Sequence, residues 1–352
     1  MIGSPRGEMA PRDPQRFSGL IVGLGYMGAI HLRVLSQMEG VTVVAGVDPQ
    51  AERREAFGRR GVSVYETVEE AVERHDIDFV CIAVPAGALA KVAALALELR
   101  LPVLVEKPMA ADEEEALELV RKAEQVGVLL RVGLVERSNP AVIALKRRLM
   151  QGTIGRIYQV HARRLSPLPD RDSMLGVSLD LATHDIDVMR YLTGAEVARV
   201  FAETAQRRHT AAEDLIAATL SFDDNTAGLL EVNWLTPTKV RQLTVTGEGG
   251  SYVVDYLTQD LSFYAHPTES IYWDTLKSMR GAGEGDMVRY ALERREPLRV
   301  QWEGFFAAMA GDSDELATGH DALAALSVAR AIQRSGRAHV SVLPAYRETL
   351  IR

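Results

Sequence analysis

The segment Gly23-Leu24-Gly25-Tyr26-Met27-Gly28, directly after the apolar run Leu20-Ile21-Val22, constrains this chain more than any other feature. Each glycine has its own steric task. Gly23 permits a tight turn, Gly25 lets a phosphate approach the backbone, and Gly28 allows a helix to pack closely on a strand. The helix opening there presents unbonded N–H groups to an anion. Such a pattern is informative between a strand and a helix of a βαβ unit, and that context is present. A helical pattern covers residues 29–38, and a second apolar strand, residues 41–47, ends at Asp48. A carboxylate at that strand end accepts hydrogen bonds from a ribose diol and repels a 2′-phosphate. Pro49 and Gln50 follow it, with no immediately adjacent base to hold such a phosphate. These residues predict an NAD site, with Gly23, Gly25, Tyr26, Met27 and Gly28 around the pyrophosphate and Asp48 on the ribose.

From Gly19 to Gly133 continuous apolar strands alternate with helical patterns. Strands without polar alternation are buried on both faces, which implies a parallel, doubly wound sheet. The pattern changes after about Ser138. Longer alternating strands follow at residues 157–164, 197–204, 215–222, 226–234, 241–246 and 251–255, with hairpin signals at Asp223-Asp224-Asn225 and Glu248-Gly249-Gly250. Helical patterns cover residues 139–150, 178–192 and 322–332. The expected fold is α/β: a Rossmann domain over 18–137 and an α+β domain with a mostly antiparallel open sheet over 138–352, after a disordered extension at 1–17. The open sheet face predicts a homodimer or homotetramer.

At 352 residues, 47% hydrophobic and 25% charged, the chain can bury two cores. A net charge of −8 argues against a mainly electrostatic binder of nucleic acid or membrane. The single cysteine, Cys81, lies within an apolar strand run, reads as buried filler, and excludes an intramolecular disulfide. No run approaches the roughly 18 apolar residues of a membrane span. The first fifteen residues lack the apolar segment of a signal peptide, so the expected location is cytoplasmic.

Candidate chemistry lies in two further places. Glu106-Lys107-Pro108 follows the strand Val103-Leu104-Val105, at the carboxyl end where ligands of such sheets bind. Pro108 stiffens that turn and suits a cis bond. Asp180 and His184 are four apart on an expected helix and so share a face. An Asp beside a His orients the imidazole and stabilises its cation, which suits a general base with Asp180 as partner or relay. Lys107 suits an electrostatic clamp on a substrate oxygen. Asp185 and Asp187 add carboxylates, but no second His stands at ligand spacing, so no metal is expected. Arg137, Arg163, Arg164, Lys239 and Arg241 are candidates for substrate phosphates, and Asn139 for the substrate itself.

Taken together, these residues resemble the glucose–fructose oxidoreductase, inositol dehydrogenase and rhizopine-catabolism (Gfo/Idh/MocA) oxidoreductases over nearly the whole chain, from Leu20 to about Arg337. Glu106-Lys107-Pro108 and the Asp180-x-x-x-His184 helix match hallmarks of that family. The resemblance implies a cofactor site that also takes in Pro85, Glu106 and Lys107, and it implies base, partner and clamp roles for His184, Asp180 and Lys107. Family members often carry a His a few residues after the proline ending the fourth strand; Pro85-Ala86-Gly87-Ala88-Leu89 has none. Residues 135–142, 180–192 and 231–241 are similar to the UDP-N-acetylglucosamine 3-dehydrogenase branch, which implies oxidation of a sugar C3 hydroxyl. Two alternatives stay open: a dehydrogenase or ketoreductase of another sugar or inositol, and a non-catalytic NAD-binding sensor.

Overall fold

The computed structural model describes residues 16–169, 175–208, 212–266, 285–312 and 315–346. Residues 1–15 of the expected extension lie outside the described residues. The next two are described, and Phe17 already belongs to a strand.

The first half is a six-stranded sheet in the order β3-β2-β1-β4-β5-β6, parallel throughout. Its strands are β1 (Phe17–Val22), β2 (Val41–Val47), β3 (Ser63–Tyr65), β4 (Phe79–Ile82), β5 (Val103–Val105) and β6 (Leu130–Val132). All four residues of β4 and all three of β5 are buried, Cys81 among them. Strands covered on both faces need no polar alternation. The intervening helices are α1 (Tyr26–Leu35), α2 (Ala51–Gly58), α3 (Val68–Arg74), α4 (Ala86–Glu98) and α5 (Glu113–Val126). Asp112 caps α5 by accepting from Glu115 N, and Gly127 ends it in the left-handed conformation.

The second sheet has eight strands in the order β14-β13-β12-β11-β7-β10-β9-β8. They are β7 (Ile157–Pro167), β8 (Val197–Ala205), β9 (Leu215–Phe222), β10 (Ala227–Asn233), β11 (Leu235–Gly247), β12 (Gly250–Asp255), β13 (Asp260–Ala265) and β14 (Met287–Tyr290). All neighbours are antiparallel except β7 and β10. One face carries α6 (Pro140–Met150), α7 (Thr183–Thr193) and α9 (Gly319–Ala338), whose buried residues share a core with Val160, Ala162, Leu220 and Leu230. Both expected turns are present: Asn225 has φ +68°, and Glu248 and Gly249 join β11 to β12 between the paired Gly247 and Gly250.

Helix α8 (Pro297–Met309), like β13 and β14, is missed by sequence patterning. It packs Trp302, Phe305 and Phe306 against Phe79 of β4 and shares a cluster with Ile21, Leu24 and Leu32. Burying each ring contributes roughly 1.5–3 kcal/mol. Residues 297–309 therefore return to the first sheet, and residues 296–298 enter the cleft beside it.

Candidate active site

The glycine loop has the shape a dinucleotide requires. Gly23 adopts φ +94°, and a Cβ there would lie 2.5 Å from Ala83 O; a Cβ on Gly28 would lie 2.0 Å from Gly23 O. Gly25 is the N-cap of α1 and supplies no side-chain cap, which leaves the first-turn N–H groups for a ligand. A Cβ at Gly25 would meet only Arg53, at 3.8 Å. Asp48 is buried at the end of β2, with Oδ2 accepting from Leu24 N at 2.9 Å and Oδ1 from Gln50 N at 2.9 Å. The first turn of α2 brings Arg53 Nη1 to 3.4 Å from Asp48 Oδ2, a neighbour that adjacency in sequence does not show. These residues fit NAD: free helix N–H groups for the pyrophosphate and a fixed carboxylate for the ribose.

A cleft of about 570 Å³ runs from Met27, Ala83 and Val84 past Glu106 and Lys107 to Asp180 and His184. Lys107 projects from the end of β5 across this cleft. Its ammonium donates to Asp180 Oδ1 at 2.8 Å and to the Asp180 carbonyl at 2.6 Å. The Lys107–Pro108 peptide is cis. Residues Ser178–Ala182 form a π-helical turn that opens α7. Such turns recur at functional sites because they displace side chains from the regular helical face. Asp180 and His184 both line the cleft, as their spacing predicts, while the charge that Asp180 holds is the lysine ammonium.

His184 Nδ1 is buried and, among the described residues, has no hydrogen-bond partner. Burial pushes the His184 pKa well below its ordinary value, and the positive charges of Lys107, Arg164 and Arg241 push it further down. The ring is therefore neutral at neutral pH and holds a lone pair for a proton. Behind it lies a buried ionic network. Arg164 is bidentate to Asp185, with Nε at 2.5 Å and Nη2 at 3.1 Å, and also lies 2.9 Å from Glu136. Glu136 faces the cleft and reaches Arg241 at 3.5 Å. Tyr256 also lines the cleft, and its hydroxyl is buried without a partner among the described residues.

The predicted phosphate-binding residues separate according to strand and helix geometry. Arg163 and Arg164 are adjacent on β7 and so point to opposite faces. Arg163 pairs with Glu231 of β10 at 2.8 Å, whereas Arg164 turns into the network beneath the cleft. Arg137 is buried against Asp187 at 2.7 Å and Asp321 at 2.9 Å. Lys239 is exposed on β11 and is not among the cleft residues. Arg241 lines the cleft, and burial and the nearby Arg164 lower its pKa. Asn139 also lines it, with Oδ1 capping α6 and Nδ2 donating to Tyr256 O. Of the other cofactor candidates, Met27 and Glu106 line the cleft, Tyr26 is exposed, and Pro85 stands at the N-cap of α4. Sequence reasoning passed over Glu136, Tyr256, Gln259 and Glu296, none of which stands in a spacing pattern. Among the described residues, no group of three or more His, Cys, Asp or Glu is placed to hold a metal ion, and no helix is long and apolar enough to cross a membrane.

Comparison with known proteins identifies the family and the fold. Residues 17–134 match the family model of the oxidoreductase family with an NAD-binding Rossmann fold, and residues 142–253 match the GFO/IDH/MocA C-terminal domain. The chain is 27% identical to the rhizopine catabolism protein MocA of Rhizobium meliloti over 325 residues, 90% of this chain and 94% of the relative. It is 26% identical to the UDP-N-acetylglucosamine 3-dehydrogenase of Acidithiobacillus ferrooxidans over 294 residues, 82% and 88% of the two chains. A solved structure of that enzyme aligns with a TM-score of 0.80 at 23% identity, over 92% of this chain and 98% of that one. GenD2 from gentamicin A biosynthesis, solved in complex with NAD, aligns with a TM-score of 0.77 at 23% identity over 97% and 99%. These two structural likenesses are of fold. With a glycine loop and Asp48 shaped for a dinucleotide, with Lys107 and His184 lining one cleft, and with both family models matching, the chain belongs to the Gfo/Idh/MocA family of NAD-binding oxidoreductases.

Proposed function

We propose that the protein oxidises a secondary hydroxyl of a sugar, with His184 as general base and Lys107 as clamp on the reacting oxygen. The observation carrying this reading is that the buried His184 ring, held neutral by its surroundings, lines the same cleft as Lys107. Bound NAD supplies the acceptor for hydride from the carbinol carbon. Lys107 draws negative charge onto the substrate oxygen, and His184 takes the hydroxyl proton. In the reverse direction the protonated ring returns it. Asp180 keeps the ammonium in the cleft, and the surrounding positive charges keep His184 unprotonated until the substrate arrives.

The finer proposal for the substrate is a UDP-linked N-acetylhexosamine oxidised at C3. The similarity to a UDP-N-acetylglucosamine 3-dehydrogenase supports it, with Arg241 as the phosphate contact. A second reading rests on charge. Of the five basic candidates only Arg241 faces the cleft, which favours a sugar or cyclitol without a nucleotide. UDP-N-acetylglucosamine deuterated at C3 separates the two: label appears in NADH if the first is right. Transfer from another deuterated sugar or inositol, with none from the nucleotide sugar, favours the second. Tight NAD binding with no transfer from any sugar would falsify the catalytic reading in favour of a sensor. The uncovered face of the second sheet carries Phe201, Leu229 and the Arg163–Glu231 pair. We assign homo-oligomerisation to that face; light scattering of wild type and Phe201→Glu tests it.

A further inference from the structure

Helix α1 carries a histidine that the chemistry above does not use. His31 lies three residues past Gly28 and is fully buried. Both ring nitrogens are engaged. Trp302 of α8, 271 positions away, brings its indole Nε1 to 3.0 Å from His31 Nδ1. An indole nitrogen only donates, so Nδ1 is the acceptor and carries no proton. The proton therefore sits on Nε2, which faces Glu106 Oε1 at 3.0 Å and donates to it. Burial opposes a cation, yet Cys81 and Glu106 together push the His31 pKa up to about 10, and against that push stands the indole N–H donated to Nδ1. The indole decides, because an imidazolium would set two N–H groups against each other at that nitrogen.

The carboxylate at the end of this chain is built in from the other sides as well. Glu106 Oε2 accepts from the backbone N–H of Lys107 at 3.2 Å. A Cβ at Gly133 would stand 3.1 Å from both carboxylate oxygens and the carbon between them, so glycine there leaves room for the group. Glu106 faces the cleft beside Lys107. One oxygen thus binds the buried histidine, and the other binds the backbone from which the clamping lysine projects.

We propose that Trp302 and His31 form a buried positioning relay that fixes the Glu106 carboxylate, and through it the Lys107 backbone, at the reacting end of the cleft. His31 and Trp302 are positioning residues; neither is among the groups lining the cleft. The relay also ties the returning helix α8 to the catalytic turn, so the packing of that helix bears on the rate. The kinetic arm rests on the dehydrogenase reading above, whereas the spectroscopic arm does not.

The test uses the full chain with nitrogen-15 histidine and three variants. Long-range proton–nitrogen correlations report the tautomer of His31 without any turnover. The expected wild-type spectrum shows a neutral ring protonated at Nε2 from pH 6 to 9. Trp302→Phe frees Nδ1 to take a proton, and the His31 signals should then titrate within that range. His31→Gln can accept from the indole and donate to Glu106, whereas His31→Leu can do neither. With the sugar that gives isotope transfer, His31→Leu is expected to lower kcat about 10–100-fold, as small misplacements of reacting groups do. The NAD Kd should stay within about threefold, and His31→Gln should recover most of the rate. A doubly protonated or Nδ1-protonated His31 in wild type overturns the proposal. So does a His31→Leu variant that binds NAD normally and turns over at the wild-type rate, or a Gln variant no better than Leu. If His31→Leu does not fold, the Trp302→Phe titration decides: an unchanged His31 spectrum there removes the relay. If no sugar reacts at all, the dehydrogenase reading has failed, and the tautomer measurements still decide whether the relay exists.

Discussion

The ammonium of Lys107 donates twice to one residue, to the carboxylate of Asp180 at 2.8 Å and to its carbonyl at 2.6 Å. The side chain that the clamping role requires is thus held by a residue of the second domain, on a π-helical turn that aims both acceptors at it. Asp180 and Lys107 should therefore act as one unit. Asp180→Asn is expected to lower kcat by about 10²-fold, and Lys107→Ala by at least as much, with NAD affinity nearly unchanged in both. The double variant should be little worse than Lys107→Ala alone, because residues that act together are not additive. Fully multiplicative losses in that cycle would separate the two roles.

The pH profile follows from the depressed His184 pKa. A general base works when unprotonated, so a lowered pKa extends activity toward acid. The acid limb of kcat/KM, which reports the free enzyme, should fall below pH ~6.5, the ordinary histidine value. Arg241→Met removes one of the charges that lower it. That variant's acid limb should move upward toward the ordinary value, whatever happens to substrate affinity. His184→Ala should lose about 10²–10⁴-fold in kcat and the limb with it.

Cofactor choice depends on the Asp48–Arg53 pair at 3.4 Å. Asp48 repels a 2′-phosphate, while Arg53 is already near enough to bind one once that carboxylate is gone. Asp48→Ser alone should shift the ratio of kcat/KM for NADP over NAD upward by about 10²-fold, or ~2.7 kcal/mol. Adding Arg53→Ala should cancel most of the gain. A wild type that binds NADP more tightly than NAD by calorimetry would contradict the role given to Asp48.

How much of this was legible in the residues depended on the length scale involved. The glycine loop, Asp48 and the turn at Lys107 could be read because local backbone needs dictate residue type over a few positions. The spacing of Asp180 and His184 placed both in the cleft, but the lysine partner could not be read, because it lies 73 positions away. Arg163 and Arg164 were indistinguishable until the register of β7 assigned them to opposite faces. The strands β13 and β14 and helix α8 went unseen. The aromatic face of α8 makes sense only against Phe79 and His31, and contacts spanning more than two hundred residues leave no periodicity in the chain.

The network under the cleft yields a stability prediction. Arg164 is buried and neutralises two carboxylates, Asp185 and Glu136. Burial raises the Asp185 pKa, and the Arg164 charge opposes that rise. Arg164→Met removes the opposition and leaves both carboxylates in the interior. Removing one partner from a buried ion pair costs about 3–5 kcal/mol, because the remaining charge is uncompensated. A carboxylate whose folded pKa is raised destabilises the folded state above that pKa, and the penalty fades as pH falls and the group takes up a proton. Urea unfolding should therefore show the variant weakest at pH 8 and nearer to wild type at pH 5. Arg164→Met with Asp185→Leu, which removes one of the stranded charges, should recover part of the loss at pH 8. A loss of the same size at both pH values, with no recovery in the double variant, would mean that Arg164 acts through packing and not through charge.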